Sequence, residues 1–293
     1  MDKRVVFAER WLPWWLLLPQ LLISAVFFYW PAVQALVQSV FIQDAFGTSL
    51  EFVGLENFER LFDDPLYRQS FVTTAVFSVC VTGLGLTASL LLAYFADRLR
   101  RGAYLFRTLL IWPYAVAPAI AGVLWMFLFN PTLGVVTHWL RAWGIEWNHV
   151  IDENQAMALI VMAAVWKQIS YNFVFFLAGL QAIPRSLIEA AALDGAGAWR
   201  TFRSVILPLL SPTAFFLLVV NVVYAFFDTF AIVDTATQGG PGTSTSILVY
   251  RVYHEGFKAL DIGGSAAQSV VLMAIVIALT FIQFRYIERK VNY

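Results

Sequence analysis

The sequence predicts an all-α integral membrane protein with six transmembrane helices. An apolar composition, six long stretches almost free of charge, and a lopsided placement of lysine and arginine all point this way. Of the 293 residues, 60% are hydrophobic and 13% are charged, with a mean hydropathy of +0.72. Soluble domains are about 25% charged, so this chain has too few polar residues to cover a water-facing surface. Asp, Glu, Lys and Arg are missing from residues 11–43, 69–96, 108–140, 204–227 and 262–284. Each gap exceeds the roughly 20 residues a helix needs to cross about 30 Å of hydrocarbon. A sixth stretch, 154–184, is interrupted only by Lys167. Spans are expected near 11–40, 70–96, 106–130, 154–182, 206–232 and 262–286, in a single membrane domain covering 1–293. The dyad alternation of a membrane barrel is absent.

Lysine and arginine set the orientation, because cytoplasmic loops carry their excess. An even number of spans puts both termini on one side. That side carries thirteen: Lys3, Arg4, Arg10, Arg98, Arg100, Arg101, Arg107, Arg185, Arg200, Arg203, Arg285, Arg289 and Lys290. The other carries five, Arg60, Arg68, Arg141, Arg251 and Lys258. Both termini are therefore expected in the cytoplasm.

The first stretch has 33 uncharged residues, too many for a signal-peptide core of about 7–15. The second holds Cys80, the one cysteine, which excludes an internal disulfide and reads as a packing residue. In the third, Pro113 and Pro118 each remove a helical hydrogen bond and favour a kink. Such breaks survive in lipid where neighbours or a cavity satisfy the freed carbonyls. Lys167 lies about 20 Å into the fourth stretch at 1.5 Å per residue. Intramembrane charges are costly and face the bundle interior or a water-filled cavity.

Lys167 and Tyr171 are four apart, as are Gln168 and Asn172, giving that helix two adjacent polar stripes. In the fifth stretch Asn221, Tyr224 and Asp228 share one face. These seven residues are candidates for a solute pathway, with Lys167 favouring an anion such as a phosphate ester. The alternative for Lys167 is a carboxylate or helix-carbonyl partner that only stabilises the bundle. Asp228 suits an anion pathway poorly and is expected near the outer surface, against the loop or a partner.

Other chemistries are excluded. No phosphate-cradling G-x-x-x-x-G-K-[ST] occurs. The glycine-rich stretch Gln238–Ser246 lacks the lysine, falls on the outer side, and reads as a turn-rich loop. His138, His149 and His254 have no metal-ligand spacing, and no G-x-S-x-G nucleophile turn is present. No catalysis, bound cofactor, metal or nucleic-acid partner is expected of this chain.

Between the fourth and fifth stretches lies "EAAALDGAGAWRTFRSVILPLLSP", Glu189–Pro212. Ala190, Ala191, Ala192, Ala196 and Ala198 present little side chain, so another backbone can approach closely. Leu187, Ile188, Ala191 and Ala192 give an apolar strip at helical spacing. Gly195 and Gly197 each cost about 1 kcal/mol of helix propensity, so a short helix, a turn and a second helix leading to Pro208 are expected. Docking of an energy-supplying protein and a helix lying at the membrane surface both fit.

The segment resembles the cytoplasmic motif of binding-protein-dependent ABC importer permeases: E-A-A, three residues, G, nine residues, then I-x-L-P. Glu189, Ala190, Ala191 and Gly195 match it, followed by Val205, Leu207 and Pro208, with Val for Ile the one departure. Residues 113–131, 166–184 and 219–241 resemble the carbohydrate-uptake group of that family. The resemblance implies a type I importer fold whose loop, about 184–205, forms a coupling helix fitting a cleft in an ATPase subunit. Glu189, Ala190, Ala191, Asp194, Gly195, Leu207 and Pro208 would carry that coupling. It further implies a heterodimer with a second related permease, two ATPase subunits holding ATP and magnesium, an extracytoplasmic solute-binding protein near residues 237–246, and a bacterial inner membrane. The solute it implies is sn-glycerol-3-phosphate and its phosphodiesters, with a neutral di- or oligosaccharide as the alternative. A secondary transporter without a motor suits the intramembrane charge and the kinks, but leaves the coupling segment unexplained.

Overall fold

Backbone groups in hydrocarbon must be satisfied within their own segment, which makes helix the rule here. The computed structural model describes residues 11–44, 49–99 and 101–287; Lys3, Arg4, Arg10, Arg100, Arg289 and Lys290 lie outside them. Among the described residues five helices are long and apolar enough to cross a membrane: Leu12–Gln38, Pro65–Arg98, Glu153–Ala182, Ser211–Asp228 and Ile262–Arg285. These are spans 1, 2, 4, 5 and 6. Span 3 consists of two helices, Ala103–Ala115 and Pro118–Leu128, bent by 105°. The expected kink is thus a complete break.

The chain divides into two units, Met1–Asp63 with Val252–Val271, and Asp64–Arg251 with Leu272–Tyr293. The first contains span 1, a two-stranded antiparallel hairpin of β1 (Phe41–Gln43) and β2 (Leu50–Phe52), and the helix Glu56–Asp63. Span 1 buries none of its residues. The hairpin is held by Asn57, whose Nδ2 donates to the Ser39 and Phe41 carbonyls at 2.9 Å each.

The second unit is the bundle that positions the site. One core cluster joins Phe77 and Val81 of span 2, Ile160 and Ala164 of span 4, and Ala225, Ile232 and Val233. A second joins Ala93 and Ala96, Phe173 and Phe176, and Leu210 and Leu217. Small residues at the contacts let membrane helices approach closely. A β-carbon on Gly122 would come 2.8 Å from the Ile232 carbonyl oxygen.

Spans 2 and 4 are capped at their starts. The Asp64 carboxylate accepts from the Leu66 amide at 2.8 Å with Pro65 following it, and Asp152 accepts from the Gln155 amide at 2.9 Å. Asp64 also pairs with Arg251, which follows the glycine-rich loop.

The break in span 3 has a local cause. Ala117 precedes a proline and is pushed out of the helical region, to φ −61°, ψ 143°. Val116 is also extended, at φ −77°, ψ 129°. The helix restarts with Pro118 in its first turn, where the missing N–H costs least.

Candidate functional site

The break leaves carbonyls without donors. In a continuous helix the Tyr114 carbonyl would accept from the amide of residue 118, but Pro118 has none. Lys167 supplies the donor instead: its Nζ lies 3.3 Å from the Tyr114 oxygen and 2.8 Å from the Val116 oxygen. The ammonium also lies 5.5 Å from the centroid of the Tyr114 ring. Of the two sequence readings for Lys167, the carbonyl partner is the one found. The same side chain still lines a cavity of about 300 Å3, with Tyr114, Pro118, Gln168, Tyr171, Val220, Tyr224 and Asp228.

Five of the seven pathway candidates therefore meet around one cavity: Lys167, Gln168, Tyr171, Tyr224 and Asp228. Asp228 stands on the cavity wall at the end of span 5, rather than against the loop. Tyr224 turns its hydroxyl to the Ala164 carbonyl at 3.2 Å, so it offers the cavity its ring side. Asn172 and Asn221 depart from the expectation. Both are fully buried, and they exchange amide hydrogen bonds with each other at 3.0 and 2.7 Å. Asn221 also donates to the Leu217 carbonyl at 2.7 Å. Each amide is satisfied by the other, so these two join spans 4 and 5 and do not line the cavity. Sequence reasoning missed Tyr114, Pro118 and Val220; the signal available was Pro118 four residues after Tyr114.

Between spans 4 and 5 the chain forms the helix Arg185–Leu193. Its end is a Schellman motif: the Gly195 amide bonds the Ala192 carbonyl and the Ala196 amide bonds the Ala191 carbonyl, at 3.0 and 2.9 Å. Gly195 takes the left-handed conformation the motif requires, φ +75°, which is the physical reason for a glycine at this spacing. A second helix, Ala198–Thr201, then leads into span 5 through the turn Leu207–Leu209 with Pro208. Glu189, Ala190, Asp194 and Gly195 are exposed, Ala191 half-buried, Leu207 exposed and Pro208 half-buried. Leu193 and Trp199 are 89% and 72% exposed, two large apolar groups flanking the glycine turn.

The loop 237–246 is tied to itself. The Thr237 and Thr245 hydroxyls lie 2.8 Å apart, and Thr245 also donates to the Gly240 carbonyl at 2.8 Å. Beside it a cavity of about 210 Å3 is lined by Asn130, His149, Thr237 and Pro241, among others. His149 is buried; its Nδ1 accepts from Trp147 Nε1 at 3.3 Å. Burial pushes its pKa below the ordinary 6.5, and a hydrogen bond to the Phe129 backbone works the other way. Among the described residues no group of three or more His, Cys, Asp or Glu is placed to hold a metal.

A broken span around a polar cavity, with an exposed helix–glycine–helix element between spans 4 and 5, defines a transporter's membrane subunit. The family described as "Binding-protein-dependent transport system inner membrane component" matches residues 52–293, and the chain belongs to that family. Over 292 residues it is 61% identical to the sn-glycerol-3-phosphate transport system permease protein UgpA of Pectobacterium atrosepticum, covering 100% of this chain and 99% of that one. The protein of the same description in Brucella abortus is 57% identical over 291 residues, 99% of each chain. Among solved structures, a bacterial ABC transporter importing the acidic polysaccharide alginate shares the fold, with a TM-score of 0.79, 22% identity, and coverage of 94% of this chain and 96% of that one. The inward-facing MetNI methionine ABC transporter matches with a TM-score of 0.56 at 18% identity, over 81% of this chain and 99% of that one. The all-α permease fold read from the sequence is therefore the fold observed, and the chain is a transport component of an ABC importer.

Proposed function

We propose that this permease works in a bacterial inner membrane, termini in the cytoplasm, as one half of a heterodimer that imports sn-glycerol-3-phosphate and its phosphodiesters. The reading rests on 61% identity, over the entire chain, to a permease named for that solute. The cavity agrees with it chemically. The Lys167 ammonium offers a charge-assisted donor to a phosphate, Gln168 and Asp228 offer partners for hydroxyls, and Tyr114, Tyr171 and Tyr224 supply apolar walls. An extracytoplasmic binding protein delivers the solute at the end carrying loop 237–246. Two ATPase subunits, holding ATP and magnesium, dock below the heterodimer, one of them on Arg185–Leu193. Glu189, Ala190, Ala191, Asp194, Gly195, Leu207 and Pro208 form the joint, and its rigid-body movement exchanges access between the two sides. The chain itself performs no chemistry.

The test is uptake in cells lacking their own systems and expressing the full set of subunits, offered labelled sn-glycerol-3-phosphate or labelled maltose. Uptake of the phosphate alone, abolished by Glu189→Ala with Gly195→Val, is the expected outcome. Maltose uptake would move the solute to neutral saccharides, and transport surviving ATPase-dead partners would remove the motor.

A further inference from the structure

Lys167 does two things at once: it borders the cavity and it holds the break in span 3. Removing Pro118 from the donor list orphans the Tyr114 carbonyl, and the extended Val116 leaves its own carbonyl outside either helix. In hydrocarbon such carbonyls need a partner, and those partners are two of the three N–H groups of one ammonium. The third remains for the cavity. Val116 keeps a single backbone bond, its amide to the Pro113 carbonyl at 3.2 Å. Span 4, which carries Lys167, is anchored independently by Asn172 to span 5 and by the Ser89 hydroxyl, 3.3 Å from the Ile169 carbonyl, to span 2. The lysine therefore projects from a fixed helix toward a break with few ties of its own.

We propose that Lys167 is a positioning residue that latches the broken third span, and that a phosphate-bearing solute in the cavity releases the latch by drawing the ammonium off the Tyr114 and Val116 carbonyls. A phosphate competes for the ammonium with full negative charge, where each carbonyl offers only a dipole. A neutral sugar offers no more than the carbonyls already do. Discrimination between anionic and neutral solutes then lies in whether span 3 is freed. The release half rests on the solute reading above; the latch half does not.

The experiment is amide hydrogen exchange, followed by mass spectrometry, on the complete importer in lipid nanodiscs, reading the amides of residues 114–121. In the absence of solute, Lys167→Met is expected to speed exchange there at least tenfold over wild type, with Lys167→Arg close to wild type. Wild-type exchange unchanged by Lys167→Met overturns the latch. In wild type, millimolar sn-glycerol-3-phosphate and inorganic phosphate are expected to speed the same amides several-fold while maltose does not, and Lys167→Met is expected to show no further response. Equal responses to all three probes, or to none, overturn the release. Uptake by the same preparation is scored separately: transport of maltose without the phosphate refutes the proposed solute, while the Lys167→Met exchange rate still decides the latch. Unchanged exchange at residues 160–180 in the variant excludes general unfolding as the cause of a faster rate.

Discussion

Span 4 runs unbroken from Glu153 to Ala182, and 56% of its most apolar window is buried inside the chain. Span 3, packed against it, turns through 105° between its two helices and exposes Tyr104, Leu105, Leu109 and Trp112. The two have similar length and apolar character but satisfy their backbones differently. Span 4 closes its own ladder and uses its polar side chains to reach neighbours: Asn172 to Asn221, Lys167 to Tyr114 and Val116. Span 3 cannot close its ladder across Pro118 and depends on span 4 for the missing donor. One helix satisfies its backbone by itself, and the other needs a side chain from its neighbour to do so.

That contrast can be broken, beginning with the most severe change. Gly122→Ala puts a carbon 2.8 Å from the Ile232 carbonyl, and overpacking of this kind costs about 1–3 kcal/mol. A lowered melting temperature of the purified complex is the expected readout. Asn221→Ala leaves the Asn172 amide buried without its partner, at a cost of about 1–2 kcal/mol. The double variant Asn172→Leu/Asn221→Leu is expected to melt above the single one, because no orphaned amide remains. Pro118→Ala supplies the N–H that would bond the Tyr114 carbonyl if the helix closed across the break, so Lys167→Met should cost less in that background. A coupling energy of about 0.5–1.5 kcal/mol in the double-mutant cycle is the expected result; simple additivity would end the comparison between the spans.

The mildest effect is on pH, and it comes from His149 between the end of span 3 and the start of span 4. Its folded pKa lies below the ordinary 6.5, so the unfolded chain takes up a proton first as pH falls. Its contribution to stability is full above pH 6.5 and declines as pH drops toward the folded value. Melting temperature followed from pH 8 to pH 5 should decline less steeply in His149→Gln than in wild type.

What the sequence made legible was whatever is decided locally. The charge gaps marked five spans, and the stretch interrupted only by Lys167 marked span 4, because lipid excludes charge regardless of fold; the pair Pro113 and Pro118 marked where span 3 bends. The helix and glycine turn at 185–196 were legible because every bond of a Schellman motif lies within five residues. The angle of the break was not, since its two halves meet residues far away in sequence, among them Lys167 and Ile232. Nor were the partners of Lys167, which lie 51 and 53 residues away. The stripe of Gln168 and Asn172 was polar as read, yet periodicity cannot distinguish an amide facing water from one facing another amide. Asn221, 49 residues from Asn172, made that difference.

At Gly195, φ is +75° and nothing lies within 4 Å of where a β-carbon would stand. Within this chain the position is demanding about handedness and indifferent to bulk. An L-residue there carries the roughly 1–2 kcal/mol penalty of the left-handed region, while its mirror-image isomer would sit at ease. The turn that links the helix Arg185–Leu193 to span 5 therefore selects glycine as the one genetically encoded residue without chirality.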